Sequence, residues 1–199
     1  MTKRYDQAYF DRWYRDPARR MWARADVERK VRMALGVAEF LLDRTVRSVL
    51  DVGCGEGSWQ PILKRLRPRA RYQGVDDSAY AVARFGKRRR IRRGTVGGLL
   101  DLELRGPFDL VVCCDVLHYV PTSELRRGLE AIALLARGPA YLEAYTSADD
   151  IAGDHGHFQR RGPTVYRRLF REAGFTQVGP HCWVGPAMRQ ELTALERSG

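Results

Sequence analysis

The stretch Val49-Leu50-Asp51-Val52-Gly53-Cys54-Gly55-Glu56-Gly57-Ser58-Trp59 constrains this chain more than any other. Val46, Val49, Leu50 and Val52 form a short β-branched apolar run that stops at alternating glycines, the pattern of a strand buried on both faces of a parallel sheet. Glycines at 53, 55 and 57 permit positive φ and let a ligand approach the backbone with no Cβ in the way. A strand, a ligand loop and a helix from about Ser58 to Leu66 are expected here, with Pro61 tolerated in the first turn.

The acids around the loop narrow the ligand. A dinucleotide fingerprint needs a third glycine at position 58, where this chain has Ser58. Asp51 and Glu56 flank the turn, and fixed negative charge repels a phosphate. A nicotinamide oxidoreductase is therefore disfavoured and a cationic ligand fits better. About one supersecondary unit later, Tyr72-Gln73-Gly74-Val75-Asp76-Asp77-Ser78 supplies a second strand ending in acids. A carboxylate at that point can accept both hydroxyls of a ribose. Sulfonium, amine and ribose together describe S-adenosylmethionine.

VLDVGCGEG followed by GVDDS resembles motifs I and II of the class I S-adenosylmethionine-dependent methyltransferases. Phe108-Asp109-Leu110-Val111-Val112-Cys113-Cys114-Asp115-Val116-Leu117-His118-Tyr119-Val120-Pro121 looks like the family's fourth strand and the loop after it. Ala173-Gly174-Phe175 and the residues from there to Val184 resemble its closing antiparallel strands, so the resemblance spans about residues 46–184. It implies an α/β fold, Rossmann-like and doubly wound, with a mostly parallel seven-stranded sheet and a C-terminal antiparallel hairpin strand. It also implies S-adenosylmethionine as cofactor, leaving S-adenosylhomocysteine as product. Cofactor contacts are then expected from Asp51, Gly53, Cys54, Gly55 and Gly57, from Asp76 and Asp77, from Thr95, Val96 and Gly97, and from Cys114, Asp115 and Val116. The acid that usually accepts from the adenine amine has no counterpart before Asp101, so a backbone carbonyl or Asp101 is expected to take that part.

The rest of the chain is read by periodicity. Residues 5–16 are unusually aromatic, and in this family the chain before motif I often folds over the cofactor; Tyr9, Trp13 and Tyr14 are the lid candidates, with packing on the flank as the alternative. Val27, Val31, Ala34, Leu35, Ala38 and Leu42 recur at helical spacing over about 24–42. Ser78 is placed to cap a helix from Ala79 to Phe85 that Gly86 would end, the run Lys87–Arg93 reads as a solvated connection before the third strand, and residues 91–98 as that short strand and its turn. Leu125, Leu129, Ile132 and Leu135 mark a helix capped by Thr122 or Ser123, and Pro139–Tyr145 a fifth strand. Residues 146–162 form a polar loop long enough to line a substrate pocket. A helix over Pro163–Ala173 should stop at Gly174, before two short strands around Gly179-Pro180.

At 199 residues the chain suits a single domain, 1–199, with a lid and helix over 1–44, a catalytic core over 46–184 and a helix or tail over 185–199. Four cysteines without C-x-x-C spacing point to neither a disulfide framework nor a structural zinc. Asp154, His155 and His157 make too thin a set for a metal, and none is expected. With no apolar leader or spanning run in the sequence, and cysteines that fit a reducing compartment, a cytoplasmic chain off the membrane is expected. The formal charge of +11 raises an RNA or other acidic partner, but Arg far outnumbers Lys and is spread along the chain, and Lys87–Arg93 carries no interleaved aromatics. A small-molecule acceptor is preferred because a compact core with one modest loop leaves little room for a macromolecule. An RNA or protein methyltransferase, or a non-catalytic cofactor-binding subunit, are the alternatives, and nothing sets the oligomeric state. His118 and His157 are the candidate bases, needed only where the acceptor must lose a proton.

Overall fold

A computed structural model of the chain describes residues 4–19, 23–150 and 153–197. Its centre is a seven-stranded sheet of β1 (Ser48–Val52), β2 (Arg71–Asp76), β3 (Ile91–Arg93), β4 (Leu110–Cys114), β5 (Pro139–Glu143), β6 (Thr176–Gly179) and β7 (Cys182–Val184), in the order β3-β2-β1-β4-β5-β7-β6. Neighbours from β3 to β5 pair parallel; β7 alone runs antiparallel, against both β5 and β6. This is the doubly wound sheet with a closing antiparallel hairpin that the sequence leads one to expect.

Alternation along the strands feeds two cores. Val49, Tyr72, Leu110, Val112 and Tyr141 face α2 (Arg24–Leu42) and α3 (Trp59–Leu66), while Leu50, Val52, Val75, Val111 and Leu142 face α5 (Thr122–Leu135) and α6 (Pro163–Glu172). Because both faces are covered, β1 is buried at every position, as its unbroken apolar run requires. The strand order reverses between β1 and β4, which opens a crevice outside their C-terminal ends.

Four local expectations need correction. Helix α4 (Ala79–Arg89) begins at Ser78, whose hydroxyl accepts from the Ala81 N–H, but it runs through Gly86 and ends at Arg90, with φ 54°. Gly86 is a packing glycine: a Cβ there would come 3.0 Å from the Ile91 carbonyl oxygen. The run Lys87–Arg93 is accordingly the last turn of α4 plus β3, not a solvated connection, and Arg89 bonds the Glu56 carbonyl oxygen. Neither Thr122 nor Ser123 caps α5, which starts behind Pro121, whose extended backbone turns the chain into the helix. The fifth strand ends at Glu143, before the bend that starts the 146–162 loop. That loop carries no regular element among its described residues. No helix among the described residues is long and apolar enough to cross a membrane.

Candidate active site

The C-terminal ends of β1, β2 and β4 open into a cavity of about 420 Å³ roofed by the N-terminal segment. After β1 the chain turns at Gly53 and Gly55, with φ of 68° and 54°. Neither position tolerates a side chain: a Cβ on Gly53 would lie 2.5 Å from Val116 Cγ2, and one on Gly55 2.6 Å from the Tyr14 hydroxyl. The loop is held from beneath, since the Gly53 and Cys54 N–H groups both donate to the Val75 carbonyl (2.7 and 3.1 Å).

Asp76 joins the loop to the next helix. One carboxylate oxygen accepts from the Gly55 N–H (2.7 Å) and the other from the Ser78 N–H (2.9 Å). Burial raises its pKa, opposed by those two donors, and Asp77 adds to the rise. Asp51 is buried more deeply, at 2% exposure, and accepts from the Tyr72 hydroxyl at 2.7 Å. Burial pushes its pKa up to about 7, against the pull of that hydrogen bond and with help from Asp76.

The roof is a short helix, α1 (Gln7–Phe10), continued by one wider helical turn over Asp11–Arg15. Phe10 stacks on Tyr80 and packs against Tyr14, the Ser78 hydroxyl donates to the Tyr5 carbonyl, and Arg15 pairs with Glu56 of the glycine loop. Tyr9, Trp13 and Tyr14, the lid candidates, all line the cavity, together with Tyr5 and Phe10.

Another wall comes from Val27 and Lys30 of α2 and Cys114 at the end of β4, and Glu143 at the end of β5 pairs with Lys30. Lys30 Nζ lies 2.6 Å from Glu143 Oε1, the Tyr141 hydroxyl donates to the other carboxylate oxygen, and the Cys114 thiol is 3.6 Å from it. Burial would raise the Glu143 pKa, but Lys30 and Tyr141 hold it below the usual carboxylate range. Asp115, just past β4, adopts φ 62° and presents Oδ1 3.5 Å from His118 Nε2.

Most of the anticipated site residues meet here. Asp51, Gly53, Cys54, Gly55, Asp76, Asp77, Thr95, Val96, Cys114, Asp115, Val116 and His157 all line the cavity. Three anticipated residues do not. Gly57 faces Ile91, Arg89 and Tyr72, and Gly97 packs on Glu124, so each serves a close approach between elements. His118 is fully buried and absent from the lining; its Nδ1 accepts from the Tyr145 N–H (3.3 Å), and its ring packs on Tyr119, Tyr145 and Phe158. Its Nε2 faces Asp115, and its ring is buried outside the residues that line the pocket, the reverse of the exposed position expected of a base. Asp101 also lies outside the lining. Conversely, Lys30, Tyr119 and Glu124 line the cavity without having been assigned to it. Among the described residues no group of three or more His, Cys, Asp or Glu is arranged to hold a metal ion.

A glycine loop and a second-strand acid converging on a crevice at the sheet's switch point define a Rossmann-like α/β protein with a nucleoside-type pocket. Residues 50–138 match the family model described as "Methyltransferase domain". A trans-aconitate 2-methyltransferase from Deinococcus radiodurans is 28% identical over 153 residues, covering 73% of this chain. The chain spans about half (54%) of that curated relative. Among solved structures, Streptomyces venezuelae DesVI aligns with a TM-score of 0.62 at 15% identity, over 81% of this chain and 91% of that one. The plantazolicin methyltransferase BamL aligns at 0.61 and 13%, over 75% and 62%. Magnesium protoporphyrin IX methyltransferase from Synechocystis aligns at 0.54 and 19%, over 86% of each chain. Residues 50–138 thus match a methyltransferase domain, and the chain shares the fold of solved methyltransferase structures.

Proposed function

We propose that this protein binds S-adenosylmethionine and transfers its methyl group to a small-molecule acceptor in the lidded pocket. The observation that carries the reading is the convergence of the Gly53–Gly55 turn, Asp76 and the end of β4 on one cavity under an aromatic roof. The donor set fits the cofactor. Asp51, Asp76, Asp77, Asp115 and Glu124 line the cavity against the one ammonium of Lys30, a balance that favours a cation. Asp76 would take the ribose hydroxyls, Thr95 and Val96 would border the adenine, and the Gly53–Gly55 backbone with Cys114 and Val116 would hold the methionine end.

When bound, the cofactor supplies an electrophilic methyl group on a sulfonium. The chain's own part is to hold the acceptor in line and keep water out, which the roof of Tyr9, Trp13 and Tyr14 is placed to do. Where the acceptor must lose a proton, His157, which lines the cavity, would take it. The same acid balance speaks against a phosphate-bearing acceptor within this cavity, despite the net charge of +11. Trans-aconitate, the substrate in the relative's name, enters the acceptor trials as the test of that balance, which disfavours a polycarboxylate on the same ground.

The test is calorimetric titration of the intact chain with S-adenosylmethionine and S-adenosylhomocysteine, beside an Asp76→Asn variant whose fold is checked by circular dichroism. Micromolar binding that the variant loses supports the reading, and a panel of small acids and amines then follows methyl transfer by product formation. A folded wild type that binds neither ligand sinks it.

A further inference from the structure

The acid-lined pocket makes no use of the chain's excess arginine, and part of that excess gathers at the other end of the sheet. Arg71 opens β2, Arg90 ends α4, Arg92 lies in β3, and Arg105 precedes β4. Side chains alternate along a strand, so Arg71, Gln73 and Val75 share a face, and the register Val75↔Arg92 puts Arg92 on it too. These four arginines line a second cavity, of about 270 Å³. Its floor includes Leu104 and Phe108, and the Arg71 guanidinium lies 5.0 Å from the Phe108 ring centroid. Gln73 Nε2 donates to the carbonyls of Gly74 and Arg90, both at 2.8 Å, which ties the Arg90 turn to β2.

Glu103 is the one carboxylate in this lining, so four guanidinium groups face one acid. None of the four makes an ion pair among the described residues. Unpaired like charges set around an apolar floor repel one another in the empty cavity and concentrate a field there. Planar guanidinium forks match phosphoryl oxygens in pairs, and several forks around one hollow suit several linked phosphoryl groups better than one. We propose that this cavity binds an oligophosphate, a small anion carrying two or more linked phosphoryl groups. The aromatic rings nearest it, Tyr72 and Phe108, are buried, leaving no platform on which a nucleic-acid base could stack. The site lies at the N-terminal ends of the strands, away from the methyl-transfer pocket, and stands independently of the function proposed there.

Inorganic tripolyphosphate is titrated calorimetrically, at low ionic strength, into three forms of the whole chain. These are the wild type, an Arg92→Gln/Arg105→Gln double variant, and an Arg167→Gln/Arg168→Gln double variant that removes equal charge from the exposed face of α6. All four substituted side chains are exposed, so the fold is not at stake. The first variant is expected to bind about tenfold or more weakly; the second should match the wild type. Equal weakening in both reduces the effect to overall charge and overturns the proposal, and no weakening in the first overturns it by placing the binding elsewhere. So does inorganic monophosphate binding as tightly as tripolyphosphate. A short single-stranded RNA that binds more tightly with the same dependence on Arg92 and Arg105 also overturns it, in favour of a nucleic-acid surface.

Discussion

Tyr72 donates its hydroxyl to Asp51 across adjacent strands, at 2.7 Å, directly behind the glycine loop. Burial nevertheless holds the Asp51 pKa at about 7, so this acid changes charge near neutrality. Between about pH 4 and pH 7 the folded chain keeps a proton that the unfolded chain has lost, so this group's contribution to stability falls as pH rises through that window and is level above it. The stability difference between wild type and Asp51→Asn should follow that slope. Cation binding favours the carboxylate, so S-adenosylmethionine uptake near pH 6.5 should release up to about one proton. Calorimetry in buffers of different ionisation enthalpy reads this directly. Wild type and Asp51→Asn releasing equal numbers of protons would show that Asp51 does not titrate there.

Gly53→Ala should damage the fold twice over. Its φ of 68° strains any Cβ, and that Cβ would meet the Val116 side chain at 2.5 Å. The combined cost is expected to be about 3 kcal/mol. Adding Val116→Ala should restore the packing part and leave the backbone part, so the double variant should fall between Gly53→Ala and wild type in denaturant midpoint. No recovery would mean that the loop, and not Val116, takes up the strain.

Arg15 ties the roof to the loop through Glu56, and its side chain is 39% exposed. Exposed pairs contribute little to global stability, so Arg15→Gln should leave the melting temperature almost unchanged. The roof segment's other ties are mainly aromatic contacts, and its opening should become easier without the ion pair. Hydrogen exchange over residues 7–15 should accelerate, and S-adenosylhomocysteine should dissociate several-fold faster in stopped flow. Unchanged exchange would assign the roof's closure to Phe10, Tyr80 and Tyr14 instead.

The glycine loop, Asp76 and the end of β4 are legible in the sequence because each sits at a strand end, where an apolar run stops abruptly at residues with a chemical role. Lys30 and Glu143 are not: 113 positions separate them, and each reads locally as ordinary helix or strand polarity. Gly57, Gly86 and Gly97 look like loop or terminating glycines, yet each gives room to a neighbouring element that only the tertiary packing reveals. His118 misleads for a related reason. Its position after β4 is right for chemistry, but the bend at Asp115 turns its ring inward among three aromatic rings.

The Lys30–Glu143 pair gives the sharpest stability test of the pocket wall. Lys30 and Tyr141 lower the Glu143 pKa despite burial, so the pair's contribution is present above the unfolded glutamate pKa and is lost as pH falls through the folded one. Lys30→Met leaves Glu143 buried without its ammonium, a loss of about 3 kcal/mol at neutral pH. The deficit should shrink on acidification, because a protonated Glu143 no longer needs the cation. Tyr141→Phe removes one neutral donor from the same carboxylate and should cost about 1 kcal/mol. Urea unfolding of the three forms at pH 7 and near pH 5 decides the matter. A Lys30→Met deficit that stays constant across that range would trace its cost to lost packing of the lysine side chain beside Cys114, and not to the buried charge.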